Sequence, residues 1–367
     1  MRVAVVAFSC RGVMGLGAVS LANFLSEKND VALFGGNELK SDYIYEKVKF
    51  KKYSILGQGP REIFKFNILI KTLNEIKTFN PQLIIFYSSH IFNCFVARLK
   101  KMKTKKLFIL HDPHIRAKYR IFSKQDIFNK LMEFHNLAMI KNVDIIQVTY
   151  KNAIEEVIER YNLPAEKICS VPLLPLVYLK GTDKNKNYKK IKYDYDLVFF
   201  GRIDAYKDLD LLFKTLEMSY SYKNRLKLLM IIQGNIPTPF KIKYKQVLND
   251  IDIINQFLNE HDFESLIRRS KIAIFPYHDA TGSHGPSVAF SLGMPIVATD
   301  VGCFKEYINM MGYGIVVPPG RPDLMYKAII NILNNPIENE RISAKFIDFV
   351  KNMEDYQLSI INRMINS

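Results

Sequence analysis

The 367-residue chain has no tryptophan and only four cysteines. The cysteines are scattered without a Cys-x-x-Cys pair, which argues against a zinc site or a disulfide framework and favours a reducing compartment. No apolar run approaches the roughly 20 residues that span a bilayer. The amino terminus also lacks the longer apolar region and the cleavage site of a signal peptide. We therefore expect a cytoplasmic protein, attached at most peripherally to the inner face of a membrane.

Acidic residues are also scarce, since 36 Asp and Glu accompany 52 Lys and Arg and leave a net charge of +16. Lysines cluster at Lys100–Lys106, at Lys184–Lys192 and around Lys241–Lys245. Aromatic residues do not alternate with these clusters and no nucleic-acid motif is visible, so we expect no nucleic-acid partner. Two explanations stay open: the solvated faces of a lysine-rich protein, and an anionic membrane surface or anionic substrate.

Short apolar, β-branched runs alternate with helix-like segments, a pattern typical of parallel sheets covered on both faces. A polar stretch at 180–196 interrupts the alternation, which resumes at Leu197. The sequence therefore predicts an α/β protein with two Rossmann-like, doubly wound domains, 1–179 and 197–338, joined by a linker at 180–196. Ligands are expected in the cleft between the domains, at the carboxyl ends of the strands. Residues 339–367 are predicted to be helical and to pack back on the first domain.

A glycine-rich turn containing Gly12, Gly15 and Gly17 follows the first predicted strand and opens a helix. Backbone amides at a helix start can bind an anion. The spacing Gly-x-x-Gly-x-Gly differs from the dinucleotide fingerprint, and Leu33–Gly36 offers no acid for a ribose, so NAD binding is not expected. A tight structural turn and a contact to an acceptor or a phosphate both fit this loop.

Two cations lie near the end of the first strand in the second half. Arg202 follows Gly201 at the strand end, and Lys207 comes five residues later, where a helix is predicted to begin. Two fixed cations beside a helix start suit a diphosphate, which is neutralised both when it binds and when it leaves. Further along, the loop Thr281–Gly285 offers consecutive backbone amides at another helix start.

These segments resemble the retaining glycosyltransferases of the GT-B fold, the group 1 family with many mannosyl- and glucosyltransferases. GRIDAYKD and SLGMPIVATDVGCFKE are similar to two motifs of the family's second domain, and Glu306 stands where the family often has an acid. VTYKNAIEEVIERYNLPAEKICSVP is similar to the stretch that closes its first domain. The resemblance covers most of residues 140–335. The family's paired glutamates fall here on Ala280 and Val288, while PYHDATGSHG is similar to another branch, with His284 in place of a glycine.

The resemblance implies an enzyme, a retaining hexosyltransferase. It would move a hexose-type sugar from a nucleoside-diphosphate sugar to a glycan or lipid-linked acceptor in cell-surface polysaccharide, lipid or glycoprotein glycan assembly. No cofactor or metal is expected, because Asp208 and Asp210 suit the start of a helix better than a cation clamp. Arg202 and Lys207 would bind the donor diphosphate. The remaining donor contacts would come from Gly201, Gly234, the main chain near Phe257, Ser283, His284, Gly285 and Glu306.

In the first half, His111 and Asp112 end a predicted strand. By resemblance, His111 matches a histidine near the reacting sugar, where an imidazole can hydrogen-bond the donor or stabilise developing charge. Asp112 can orient the acceptor hydroxyl. The alternative is a structural histidine followed by a helix cap. Two other functions stay open for the whole chain: a catalytically inactive partner subunit, consistent with the missing glutamates, and a sugar-nucleotide epimerase on the same fold.

Overall fold

The computed structural model describes residues 1–8, 10, 12–55, 65–99, 103–113, 124–173, 192–222, 225–256 and 258–366. The chain divides into two compact units. The first unit consists of residues 1–185 and 352–367, and the second unit consists of residues 186–351. Each unit contains one parallel sheet with its helices, so the predicted α/β architecture of two Rossmann-like domains is confirmed.

The first unit holds seven strands among its described residues, in the order β3-β2-β1-β4-β5-β6-β7, and every pair is parallel. The central strands are continuous apolar runs because both faces of the sheet are covered. The strands are β1 Arg2–Ala7, β2 Asp30–Gly35, β3 Lys49–Lys52, β4 Leu83–Phe86, β5 Lys105–Leu110, β6 Ile145–Val148 and β7 Ile168–Ser170. The helices are α1 Val13–Leu25, α2 Phe66–Phe79, α3 Ile91–Ala97, α4 Lys124–Ile140 and α5 Ala153–Tyr161, with short 3-10 turns at Ser41–Tyr43 and Ala165–Lys167.

The second unit holds six strands in its described part, in the order β10-β9-β8-β11-β12-β13, again all parallel. The strands are β8 Tyr195–Arg202, β9 Leu228–Gln233, β10 Asp252–Asn255, β11 Ser270–Phe275, β12 Ile296–Thr299 and β13 Gly314–Val317. The helices are α6 Leu209–Ser221, α7 Thr238–Lys243, α8 Lys245–Asn249, α9 Glu260–Ile267, α10 Gly285–Ser291, α11 Phe304–Met311 and α12 Pro322–Asn334. The helix α13 Asn339–Asn366 begins in this unit and ends in the first.

Helix α13 contributes residues to both units. At its start, Asn339 Nδ2 donates to the Tyr193 hydroxyl at 2.8 Å, within the second unit. Near its other end, Gln357 Nε2 donates to Gln147 Oε1 on β6 at 3.2 Å, and both amides are buried in the first unit. Among the helices described, none combines the length and the apolar character needed to cross a bilayer.

The strand order of each sheet reverses at one place, between β1 and β4 in the first unit and between β8 and β11 in the second. Connections at such a reversal leave toward opposite faces of the sheet and open a crevice at the carboxyl ends of the two strands. The residues that follow these four strands are therefore the ones that the fold places to bind a ligand.

Candidate functional site

Lys207 lies at the reversal point of the second sheet, against the end of β8. Its side chain is buried, with a residue exposure of 7%. A Cβ atom at Gly201 would lie 2.6 Å from Lys207 Nζ, and Gly201 has a φ of +118°. The positive φ favours glycine there, and a side chain would displace the ammonium group from its place. Gly201 and Lys207 therefore form one structural pair.

Aromatic rings surround the same ammonium group. Lys207 Nζ lies 5.6 Å from the ring centroid of Phe199 and 5.4 Å from that of Tyr277. The π faces attract the cation. A desolvated cation at the carboxyl end of a parallel strand attracts an anionic ligand strongly, because water screens it little.

The loop that carries Lys207 is bonded to the loop that follows β11. Lys207 and Tyr277 form an antiparallel bridge. The Asp208 amide donates to the Pro276 carbonyl at 2.8 Å, and the His278 amide donates to the Tyr206 carbonyl at 2.9 Å. These bonds cross the crevice between β8 and β11 and fix the backbone on both sides of it. Lys207 lies two residues before α6. Asp208, the next residue, caps that helix by accepting a hydrogen bond from the Leu211 amide at 2.9 Å.

Thr299, the last residue of β12, fixes Tyr277 from the other side. Its hydroxyl donates to the Tyr277 carbonyl at 2.5 Å and accepts from the Tyr277 amide at 3.0 Å. Phe304, the first residue of α11, packs its ring 5.2 Å from the Tyr277 ring and 5.4 Å from the Phe275 ring. The ends of β8, β11 and β12 thus meet around the ammonium group of Lys207.

Arg202 is the last residue of β8, next to Gly201, so the structure brings both predicted cations to the same strand end. Its side chain is exposed, and its Nε donates to both carboxylate oxygens of Asp204, at 2.8 and 3.1 Å. An exposed ion pair of this kind stabilises a protein by about 1 kcal/mol or less. An incoming anion can therefore compete with Asp204 for the guanidinium at small cost.

The loop between β11 and α10 is packed tightly against the start of α11. A Cβ atom at Gly302 would lie 2.4 Å from the Ala280 carbonyl oxygen, and Gly302 has a φ of +52°. A Cβ atom at Gly285 would lie 2.6 Å from Phe275 Cε1, and the Gly285 amide donates to Ser283 Oγ at 3.2 Å. Gly285 begins α10 with buried His284 as the preceding residue. The predicted loop Ser283–Gly285 therefore lies beside β11, the neighbour of β8.

The positions expected to carry the glutamate pair hold Ala280, which is buried, and Val288, which is half-buried on α10. Glu306 is half-buried in the first turn of α11. A carboxylate at a helix amino terminus is stabilised by the helix dipole. Glu306 follows Phe304, whose ring covers Tyr277, so it lies on the helix that borders the Lys207 site.

Gly234 follows β9 with a φ of +104°, and a Cβ atom there would lie 3.7 Å from Ile203 Cβ. It therefore lies beside the loop that leads from β8 to Lys207. Phe257 lies outside the described residues, which stop one residue beyond β10 and resume at Leu258. The predicted contact through its main chain stays a prediction.

In the first unit, His111 follows β5 and leans on the neighbouring strand β4. Its Nε2–H donates to the Tyr87 carbonyl at 2.7 Å, and the two rings lie 4.9 Å apart. Burial lowers the pKa of His111, and this effect outweighs the nearby charge of Asp112. Nδ1 is shielded from solvent and has no hydrogen-bond partner among the described residues. The arrangement holds a neutral imidazole whose Nδ1 can accept a hydrogen bond, while Asp112 is exposed.

The glycine turn lies at the same edge of this sheet. Gly12 precedes α1 with a φ of +52°, and a Cβ atom at Gly15 would lie 3.2 Å from the Cys10 carbonyl oxygen. Burial raises the pKa of the Cys10 thiol to about 12, although a hydrogen bond with Ser88 opposes this effect. Ser88 follows β4, as Tyr87 does, so the turn at Gly12, Gly15 and Gly17 and the His111 ring belong to neighbouring strand ends.

Several residues that build the two sites had not been predicted: Tyr277, Thr299 and Gly302 in the second unit and Tyr87 in the first. The sequence does carry a signal for three of them, because Tyr277 closely follows β11, Thr299 ends β12 and Gly302 precedes a helix that contains Glu306. Their roles depend on packing between strands that are distant in sequence.

Within the described part of the chain, no three His, Cys, Asp or Glu side chains form a group that could hold a metal ion. Asp210 instead accepts from Lys243 at 2.7 Å and from Tyr244.

Known proteins resemble the second unit in sequence and the whole chain in fold. The sequence profile of glycosyl transferases group 1 matches residues 182–347, which make up most of the second unit. No curated protein matches the chain. Solved structures match its whole length at low identity, and such a likeness establishes the fold.

Three of these structures illustrate the range. Anabaena Alr3699/HepE in complex with UDP is 12% identical, with a TM-score of 0.67 over 99% of this chain and 100% of that chain. Sucrose-phosphate synthase from Thermosynechococcus elongatus is 17% identical, with a TM-score of 0.66 over 100% and 99%. The structure of trehalose-6-phosphate from E. coli bound with UDP-2-fluoro glucose is 12% identical, with a TM-score of 0.65 over 100% and 99%.

Proposed function

We propose that this chain, which belongs to the glycosyl transferases group 1 family, transfers a hexose from a nucleoside-diphosphate sugar with retention of the anomeric configuration. The observation that supports this most directly is the buried ammonium group of Lys207 at the strand reversal of the second sheet. Two structural relatives contain UDP or a UDP-sugar, which makes uridine nucleotides the first donors to test.

In this proposal the second unit binds the donor. Lys207 contacts the diphosphate, and Arg202 exchanges part of its bond with Asp204 for a phosphate oxygen. Negative charge accumulates on the diphosphate as the bond to the sugar breaks, so fixed cations stabilise the transition state more than the bound donor. Ser283, His284 and Gly285 lie beside β11, and we assign them to the sugar, with Glu306 as a further polar contact. Gly234 and the chain near Phe257 are assigned to the nucleoside.

The first unit binds the acceptor, a glycan or a lipid-linked sugar. The neutral His111 imidazole offers Nδ1 to a substrate hydroxyl, since its Nε2–H is engaged by the Tyr87 carbonyl. Asp112, being exposed, can orient an acceptor hydroxyl, and the amides near Gly12 can bind an anionic part of the acceptor. No step of this scheme requires a metal ion.

The decisive experiment measures UDP binding by calorimetry to Lys207→Met, which keeps the length and packing of the side chain and removes its charge. A charge-assisted hydrogen bond contributes about 1.5–3 kcal/mol, so the Kd of UDP is expected to rise roughly 10- to 150-fold. Arg202→Ala is expected to raise it less, because Asp204 already neutralises the guanidinium. The control Lys241→Met removes an exposed lysine on α7 and should leave binding unchanged. Unchanged binding in Lys207→Met contradicts the assignment of the diphosphate.

A second candidate is an inactive partner subunit, favoured by Ala280 and Val288 at the positions of the family's glutamates. The two candidates differ in ligand response. An enzyme that binds a donor gains about 2.7 kcal/mol of stability at a nucleotide concentration 100 times the Kd. A thermal-shift panel of nucleotides and nucleotide-sugars that produces no stabilisation favours the partner subunit.

A further inference from the structure

The positive charge of the protein is concentrated in one unit. The first unit contains 30 of the 52 Lys and Arg and 18 of the 36 Asp and Glu, whereas the second contains 22 and 18. The first unit therefore carries a net charge of +12 and the second +4. A lysine-rich composition alone would distribute the charge more evenly, so the first unit is the place to look for an anionic partner.

Helix α4 and the residue that follows it present two apolar side chains flanked by two lysines on one solvent-exposed stripe. Lys130, Phe134, Leu137 and Lys141 are spaced by four, three and four residues, which places them on the same side of a helix. Phe134 is 65% exposed and Leu137 is 39% exposed, and both lysines are exposed as well. Glu133, an acid adjacent to the stripe, is already paired with Arg160 at 2.8 Å.

Helix α3 packs against α4 and extends this surface. Phe95, which is 41% exposed, lies on α3, and exposed Arg98 caps the carboxyl end of that helix three residues later. We call the surface formed by Phe95, Arg98, Lys130, Phe134, Leu137 and Lys141 the α3–α4 face. It combines three large apolar side chains with three cations.

The neighbouring helix α2 lies on the same side of the sheet. Helices α2, α3 and α4 lie in the connections from β3 to β4, from β4 to β5 and from β5 to β6. All three connections run in the same direction across the sheet. Because such crossovers are right-handed, the three helices lie in one layer. Exposed Phe66 and Ile70, four residues apart on α2, are large apolar residues of that layer. Helix α1 belongs to the opposite layer, because β1 connects to β2 in the other direction.

We propose that the α3–α4 face docks on an anionic lipid bilayer, with Phe134 and Leu137 inserted at the level of the headgroups. Aromatic and aliphatic side chains gain free energy there, while flanking lysines and arginines stay among the phosphates. A second copy of the chain fits this face poorly, because it would bring like charges together. The proposal does not depend on sugar transfer, since vesicle binding is measured without any donor.

The test measures binding of the full chain to vesicles of phosphatidylcholine with 30% phosphatidylglycerol, and to phosphatidylcholine alone. We expect binding to the anionic vesicles only, weakened by 0.5 M salt. Lys130→Gln with Lys141→Gln should lower the partition coefficient by about fivefold per lysine, and Phe134→Ser with Leu137→Ser should lower it by at least tenfold. The matched controls are Ile242→Ser, which is 74% exposed in the second unit, and Lys241→Gln. Both should bind as the unchanged protein does.

Four outcomes overturn the proposal. The first is equal vesicle binding by all variants. The second is that the protein binds a single-stranded oligonucleotide but no vesicles, and that the same substitutions abolish the oligonucleotide binding. The third is a dimer in solution that Phe134→Ser dissociates. The fourth is a fall of more than about 5 °C in the Tm of Phe134→Ser, since a surface substitution is expected to change stability by 0.5 kcal/mol or less. Such a fall would mean that the chain itself packs over Phe134.

Discussion

Replacing Thr299 with valine removes one hydroxyl group and leaves a side chain of nearly the same shape. That hydroxyl bonds both the amide and the carbonyl of Tyr277, and both residues are buried. Tyr277 in turn forms the backbone bridge to Lys207 and places its ring 5.4 Å from Lys207 Nζ. Thr299 is therefore a positioning residue for Lys207, although it is not expected to touch the donor.

The size of the effect follows from these bonds. Removing the partner of a buried polar group costs about 1–3 kcal/mol, and valine removes the hydroxyl that donates to the Tyr277 carbonyl. The Tyr277 amide also donates to the Phe275 carbonyl at 3.0 Å, so it keeps one partner. We expect the free energy of unfolding to fall by roughly 1–3 kcal/mol, with some relief if the loop at Tyr277 moves. Thr299→Ser keeps the hydroxyl and loses one methyl group, which costs about 1 kcal/mol.

The assay compares Thr299→Val, Thr299→Ser and the unchanged protein by thermal melting and by UDP calorimetry at a temperature where all three are folded. A shifted Tyr277 moves the ring that faces Lys207, so UDP affinity should fall about tenfold in the valine variant. The serine variant should bind UDP as the unchanged protein does. If the folded valine variant keeps full UDP affinity, or if serine weakens binding as much as valine, the positioning role is wrong.

Three further predictions test other parts of the two units. Gly201→Ala places a Cβ atom 2.6 Å from Lys207 Nζ on backbone with a φ of +118°, so UDP affinity should fall about as much as in Lys207→Met, as measured by calorimetry. His111→Ala should lower sugar transfer by about 10²- to 10⁴-fold in a product assay, while UDP binding stays unchanged. Because burial lowers the pKa of His111, the activity of the unchanged protein should fall only at acidic pH. Burial and the charges of Glu27 and Asp355 raise the pKa of Glu354 to about 7. The folded state then binds the proton more tightly than the unfolded state, so Tm should decline as the pH rises from 4.5 to 7, and less so in Glu354→Gln.

The sequence predicted the fold because the signals for buried parallel strands are local. Apolar runs such as Val3–Phe8 and Ile296–Thr299 coincide with observed strands to within two residues. The edge strands β3 and β10 were not predicted. The sequence of β3 is Lys-Phe-Lys-Lys, and an edge strand needs no continuous apolar run, because only part of it is covered and charges on it discourage pairing with other chains.

The predicted linker at 180–196 also ended two residues too late. Tyr195 and Asp196 belong to β8, although their surroundings in sequence are polar. The structure supplies the reason: Asp194 pairs with Arg269 at 2.6 Å and Asp196 pairs with Lys271 at 2.8 Å, both across to β11 and the residue before it. A charge that is satisfied by a partner 75 residues away has the same appearance in sequence as a charge in a solvated loop.

The same limit applies to the two cations of the candidate site. The cations at 202 and 207 could be selected from sequence because a strand end followed by a helix start is a local pattern. The difference between them could not, because it depends on tertiary contacts: Arg202 is exposed and paired with Asp204, whereas Lys207 is enclosed by Phe199, Tyr277 and the backbone of Gly201. Removing the charge of Lys207 therefore leaves no cation beside these two rings. Removing Arg202 leaves the half-buried Asp204 carboxylate, which still has contact with water. The enclosed lysine is consequently the residue on which nucleotide binding should depend more strongly, even though the two are equally basic and only five positions apart.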